Sequence, residues 1–324
     1  MNRRDFLRKG TAAAGIVASQ EILQAAAANK ANSGLSPISK RALGKTGEKL
    51  SIIGFGGIVV MNVEPASASS IVAEAVDRGV NYFDVAPSYG NAQERLGPAL
   101  EPYRKQVFLA CKTGKRDKQG SAEALENSLK TLRTDHVDLY QFHGLTKMEE
   151  LEQVLGPNGA LETFQAARQA GKVRFIGFSV HSVETALAAL DRFAFDTILF
   201  PLNFVLFSQA NFGPQVLEKA RQKGMGILAL KAMAKTTWPK SATASEHFAP
   251  KCWYQPTAMP KEASLALRWT LSHPITAAIP PGDERYFRLA MDVAQKFTPL
   301  KEAEEKQLIA TASGVEPIFH LGNA

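Results

Sequence analysis

Val107-Phe-Leu-Ala-Cys111, a segment of helical period from Ala122 to Leu132, and then Val137-Asp-Leu-Tyr-Gln-Phe142 are the stretch on which the fold turns. Two short apolar runs flank one amphipathic segment, the pattern of a strand, a crossover helix and a second strand. A buried parallel strand needs such a crossover to bring the chain back to the same end of the sheet. The alternation continues in both directions. Upstream, a polar Gly/Lys turn (Leu43 to Lys49) leads into Leu50-Ser-Ile-Ile-Gly-Phe-Gly-Gly57, read as a hairpin entering a first buried strand, and Asn81-Tyr-Phe-Asp-Val-Ala86 follows. Downstream, Phe175 to Val180, Thr197 to Phe200, Gly226 to Leu230 and Thr276 to Ile279 bring the runs to eight. Helical periods fill the gaps at Ala68 to Arg78, Leu161 to Gln169, Val183 to Leu190, Gln215 to Gln222 and Lys261 to Leu271. Gly79, Gly171 and Gly224 each follow a helix with Arg or Lys nearby, as C-terminal caps do.

Eight strands alternating with helices over about 250 residues predict an α/β chain folded as a (β/α)8 TIM barrel. It carries an N-terminal β-hairpin and an extra C-terminal helix, Leu300 to Ser313. Residues 40–324 are expected to be one domain. A doubly wound open sheet is the competing architecture. Its phosphate-binding fingerprint is missing, because Gly54-Phe-Gly-Gly57 has no third glycine at the required spacing and no helix start after it.

With 45% hydrophobic and 21% charged residues the chain has the material for a sizeable core and is too apolar for a disordered protein. The formal charge is 38 − 31 = +7. Residues 1–45 hold eight basic residues against Asp5 and Glu21, a net +6, which leaves about +1 for the rest. A basic nucleic-acid-binding face is therefore not expected. Two cysteines, Cys111 and Cys252, make no disulfide framework and no zinc spacing. One disulfide remains open arithmetically; two free, buried thiols are the ordinary reading.

The basic excess has a position. Arg3-Arg4 is followed by Phe6-Leu7, a mild apolar stretch from Thr11 to Ala18 and the small residues Ala25 to Ala28, which offer a cleavage site. This resembles a bacterial twin-arginine export signal. It implies a signal peptide at 1–28, a flexible linker at 29–39, the twin-arginine export machinery as a partner, and a bacterial periplasmic destination reached in the folded state. The apolar stretch is too short and too rich in Ala and Gly to span a bilayer, which takes a helix of about 20 residues.

A barrel of this kind has its active site at the C-terminal ends of the strands. Read there in order, the second run ends at Asp84 and leads to Tyr89, the third ends at Lys112 and the fourth at His143. A tyrosine is a poor acid at neutral pH, with a reference pKa of about 10, so its use as a proton donor needs a nearby positive charge. Lys112 supplies that charge and Asp84 positions the ammonium by pairing with it. His143 donates a hydrogen bond that orients a carbonyl oxygen. Together these groups describe a site for reducing a carbonyl. Schiff-base chemistry at Lys112 is a competing use of the same lysine.

Asn81 to Gly97, with Asp84, Tyr89 and Glu94-Arg-Leu-Gly97, looks like the hallmark segment of the aldo-keto reductases. Ala110-Cys-Lys112-Thr, Asp138 to His143 and Gly177-Phe-Ser179-Val-His resemble later motifs of that family, in order, from about residue 40 to 295. The resemblance implies an NADP-dependent oxidoreductase acting on aldehyde or ketone carbonyls. Tyr89, Asp84, Lys112 and His143 would be the catalytic tetrad, Tyr89 the general acid, and NADPH the favoured cofactor with NAD as the other candidate. Ser179 and Asn203 match positions that bind the nicotinamide carboxamide, while Leu230 stands in place of an aromatic stacking residue. Lys231 would reach a cofactor phosphate. Ile279 to Arg288 is similar to the adenosine-phosphate loop, with Gly282 admitting the backbone and Arg285 or Arg288 countering Asp283 and Glu284. A long, aromatic stretch from Lys235 to Pro260 is expected to cover the site or to be a surface insertion. A nucleotide-binding barrel with a sensing role and little turnover is the alternative function.

Overall fold

The computed structural model describes residues 36–243 and 246–322. The expected export signal at 1–28 and residues 29–35 of the expected linker lie outside the described residues. One compact unit begins at Ile38. The chain enters it through β1 (Lys40–Ala42) and β2 (Lys49–Ser51), an antiparallel hairpin with Arg41 opposite Leu50. There follow β3 (Phe55–Gly56), α1 (Pro65–Asp77), β4 (Tyr82–Asp84), α2 (Ala92–Leu100), β5 (Phe108–Thr113), α3 (Lys118–Leu132) and β6 (Val137–Leu145). Next come α4 (Met148–Leu155), α5 (Ala160–Gln169), β7 (Val173–Val180), α6 (Val183–Arg192), β8 (Thr197–Pro201), α7 (Phe204–Ala210), α8 (Pro214–Gln222) and β9 (Gly226–Leu230). The last elements are β10 (Ala234–Thr237), β11 (Tyr254–Pro256), α9 (Pro260–Ser272), β12 (Ala277–Ala278), α10 (Glu284–Gln295) and α11 (Glu302–Ala310).

Eight strands form one parallel sheet in the order β3-β4-β5-β6-β7-β8-β9-β12. Its two edges meet: Ile53 bridges Ala278, the Gly54 amide donates to the Ala278 carbonyl and the Ala278 amide to the Ile52 carbonyl, both at 2.9 Å. The predicted (β/α)8 barrel, its entry hairpin and its extra C-terminal helix are thus all present. The expected first run splits between two elements. Leu50 and Ser51 stay in the hairpin, because the Ser51 hydroxyl donates to Ile53 O at 2.7 Å and its amide to Asn81 Oδ1 at 2.7 Å, turning the chain before β3 begins.

Alternation along the strands divides the core in two. Tyr82, Phe108, Ala110, Leu139, Leu199, Leu228 and Ala277 fill the barrel, and Leu43 and Leu50 of the hairpin plug it from below. Phe83, Leu109, Cys111, Tyr140, Phe142 and Ile176 face outward into the larger cluster under the helices. Both cysteines are free and buried. Gly79, Gly171 and Gly224 end α1, α5 and α8 with positive φ, as expected of C-terminal caps. Helices α2, α4 and α7 were not expected from periodicity. Gly97 explains one of them: a Cβ there would lie 2.6 Å from Thr131 O and 2.8 Å from Leu132 Cα, so α2 sits directly on the end of α3. Within Lys235 to Pro260 the strands β10 and β11 pair antiparallel, and in the stretch between them the Trp238 indole donates to Cys252 O at 2.8 Å.

Candidate active site

Inward alternation carries three consecutive strands of the filled barrel, β4, β5 and β6, on to a polar residue toward the C-terminal end. Tyr82 leads to Asp84, Ala110 to Lys112 and Leu139 to Gln141. Asp84 and Lys112 are buried side by side as an ion pair, Lys112 Nζ donating to Asp84 Oδ1. The other carboxylate oxygen accepts from Gln141 Nε2 at 3.0 Å and from the Tyr82 hydroxyl at 3.1 Å. A buried carboxylate with this many donors is held in place. Burial works against the Lys112 ammonium, but the field of Asp84 outweighs it and raises the pKa. Lys112 Nζ also lies 3.4 Å from the Tyr89 hydroxyl, on the turn after β4. Burial raises the Tyr89 phenol, and Lys112 pulls it back down.

His143 stands edge-on to Tyr89, ring centroids 5.6 Å apart at 89°, with Ser88 Oγ 3.4 Å from its Nδ1. A bulge aims it there. Phe142 pairs with Phe178 and Leu145 with Val180, so His143 and Gly144 share the single partner Ser179. The Gly144 amide, freed from the ladder, donates to Ser179 Oγ at 2.8 Å. Arg116 Nη2 donates to the carbonyls of His143 (3.0 Å) and Gly144 (3.1 Å), and Glu150 holds the guanidinium at 2.9 Å. Burial, then the charge of Lys112, pushes the His143 imidazole down to about 3. That leaves the ring neutral near pH 7.

The tetrad opens onto a cavity of about 180 Å³ that also has Gly56, Ser179, His181, Leu230, Lys231, Lys251, Trp253, Tyr254 and Gly282 in its wall. Three of the five expected cofactor residues, Ser179, Lys231 and Gly282, are therefore brought to the tetrad. The other two are not among the cavity-lining residues. Asn203 is the N-cap of α7, its Oδ1 accepting from Leu206 N at 2.9 Å and its Nδ2 donating to Lys231 O at 3.2 Å. Arg285 is gripped by Asp283 through Nε (3.0 Å) and Nη2 (2.9 Å) and donates to Phe248 O. Asp283 is itself the N-cap of α10, accepting from Arg285 N at 3.0 Å. Arg288 pairs with Glu74 and Glu284.

The chain matches the aldo/keto reductase family over residues 52–308. It belongs to that family. Among curated relatives, the oxidoreductase YqkF of Bacillus subtilis is 34% identical over 154 residues, 43% of this chain and 48% of that protein. The match therefore spans about half of that relative's length. L-galactose dehydrogenase of Arabidopsis thaliana is 31% identical over 222 residues, 62% of this chain and 67% of that one. The aldo-keto reductase AKR11C1 from Bacillus halodurans, in its holo form, superposes with a TM-score of 0.66 at 23% identity over 87% of this chain and 98% of its own, a likeness of fold. Sequence reasoning missed Tyr82, Gln141, Arg116 and His181. The first two were within reach, since each lies two residues from a residue already singled out, on the same strand face.

Proposed function

We propose that this member of the aldo/keto reductase family reduces aldehyde or ketone carbonyls to alcohols, with Tyr89 as the proton donor. The observation that carries the reading is the chain from Asp84 through Lys112 to the Tyr89 hydroxyl, with neutral His143 at its side. A bound nicotinamide dinucleotide supplies the hydride. His143 holds the carbonyl oxygen toward Tyr89. Tyr89 passes its proton to that oxygen, and Lys112 stabilises the phenolate left behind. Asp84 keeps the ammonium under the phenol, fixed in turn by Tyr82 and Gln141. Bringing Tyr89, Lys112 and His143 into one mouth removes the entropic cost of assembling them at each turnover.

The donor set suits such a dinucleotide. In the cavity wall, Lys251 donates to Val59 O at 2.8 Å and has no carboxylate in ion-pair range among the described residues, the chemistry of a phosphate contact. Ser179 and Gly282 would complete the wall against the cofactor. For NADPH, the cofactor favoured by the sequence, Arg285 or Arg288 must exchange an acidic partner for the 2′-phosphate. Tyr89→Phe is expected to lower kcat for aldehyde reduction by about 10²- to 10⁴-fold while dinucleotide binding, read from nicotinamide fluorescence, persists. Unchanged turnover in that variant would overturn the reading. Leu230 in the cavity wall, where an aromatic residue would stack, favours the second reading of a nucleotide sensor, which steady-state turnover with a panel of aldehydes excludes or supports.

We also propose export, on the strength of Arg3-Arg4 and the stretch that follows. The chain would leave the cytoplasm folded, with residues 1–28 as signal and 40–324 as the enzyme. Replacing both arginines by lysine should retain the protein in the cytoplasmic fraction of a bacterial host. No helix among the described residues is long and apolar enough to cross a membrane.

A further inference from the structure

Three lysines and one carboxylate line the cavity, and Asp84 is already paired with Lys112. Of the remaining two cations, Lys251 lies toward the loop that carries Asp283 and Glu284, whose charges act on it. Lys231 lies within the fields of Cys252 and Lys112 and acts in turn on His143 and His181. Its placement is built. The residue has φ of 63°, in the left-handed region that side chains seldom adopt. Its carbonyl is tied down by Asn203 Nδ2 at 3.2 Å and Ala234 N at 2.9 Å. The ammonium rests 4.4 Å from the ring centroid of Tyr254 and 5.0 Å from that of Trp253. No carboxylate pairs with it among the described residues. Burial, with the charge of Lys112 adding to it, pushes Lys231 down to about 8, so the group is still mainly a cation at neutral pH.

His181 is the second, independent observation. It lines the same cavity, stacks on Phe319 at 5.1 Å, and its buried Nε2 has no hydrogen-bond partner. A neutral aldehyde or ketone leaves both groups unmatched beside the reacting centre. We propose that the carbonyl substrate carries a carboxylate, received by Lys231 with His181 Nε2 donating beside it. This rests on the reading of the site as a carbonyl reductase. A carboxylate gains a charge-assisted hydrogen bond there and fills an orphaned donor, whereas the corresponding ester fills neither. The same chemistry would suit a cofactor phosphate, and the test separates the two sources.

The probes are 4-formylbenzoate and its methyl ester, with Lys231→Met, Lys231→Gln and Lys231→Arg as variants. Wild-type protein is expected to prefer the acid in kcat/KM by about tenfold or more, chiefly through KM. Lys231→Met, or Lys231→Gln should the first variant melt early, is expected to remove that preference, and Lys231→Arg to restore part of it. Calorimetry with NADPH and with NADH should show dinucleotide affinity held within about threefold in the variants. An acid-to-ester ratio near one in wild type, or one that the substitutions leave unchanged, would overturn the proposal. So would a uniform loss for both aldehydes together with weakened dinucleotide binding, which would assign Lys231 to a phosphate. Calorimetric binding of 4-formylbenzoate that depends on Lys231, in protein that turns over neither aldehyde, would support the subsite and count against the reductase reading alone.

Discussion

Asp84 and Asp283 show how one residue type serves two ends. Tyr89 is useful because Lys112 stands 3.4 Å away, and Lys112 can stay charged in a buried place only because Asp84 is there. The order in which these residues leave successive strands is visible in the sequence, so the clustering of Asp84, Tyr89, Lys112 and His143 was legible there. Asn203 and Arg285 were not, since Asn and Asp cap helices with the same oxygen that would bind a ligand, and local geometry decides between the two. Asp283 caps α10 and holds Arg285 at once. Asp283→Ser keeps a capping oxygen and releases the arginine. Its expected effect is a shift in the ratio of kcat/KM for NADPH over NADH toward NADPH, by about tenfold, read from steady-state rates with each cofactor.

Between elements, close approach matters more than contact area. Helix α2 sits on the end of α3 at Gly97, where the nearest atoms to an added Cβ are backbone and cannot rotate away. Gly97→Ala should therefore cost about 1–3 kcal/mol and lower the melting temperature by several degrees, measured by thermal unfolding followed by circular dichroism. A much smaller shift would mean that α2 slides without penalty. The strands and their crossover helices were readable because buried parallel strands are near-continuous apolar runs. Short helices were not, because Gly97 and Pro98 interrupt the period in α2, and α4 and α7 are barely two turns long. The bulge in β6 left no mark either: it exists only as a mismatch in count between two strands, and a single strand's sequence does not contain the count.

On the scale of the molecule, the barrel buries two imidazoles in neutral form, His143 pushed down to about 3 and His181 to about 4, in both cases first by burial. In the unfolded chain each returns to an ordinary pKa near 6.5. Below that pH the unfolded state takes up protons that the folded state refuses. The stability these groups confer is complete above about 6.5 and is lost as the pH falls toward 4, at up to about 1.4 kcal/mol per pH unit for each. Urea unfolding at pH 7 and pH 5 should show the loss, and His181→Gln should flatten it. A midpoint independent of pH over this interval would contradict the burial of both rings.

The β10–β11 hairpin is fastened across the mouth at two points, by Lys251 to Val59 O and by Phe248 O to Arg285. What lies beneath has a volume of about 180 Å³, under the roughly 300–1,000 Å³ of ordinary ligand pockets. Admitting a dinucleotide to that space would require both fastenings to part, so each cycle of the proposed reductase would include one unlatching to admit the reduced cofactor and another to discharge the oxidised one. Chemistry would then wait on exit. Lys251→Ala, which cuts one fastening, should quicken the decay of nicotinamide fluorescence in a stopped-flow displacement experiment while weakening the equilibrium affinity. Residence time, more than the proton at Tyr89, would then set the pace of the enzyme.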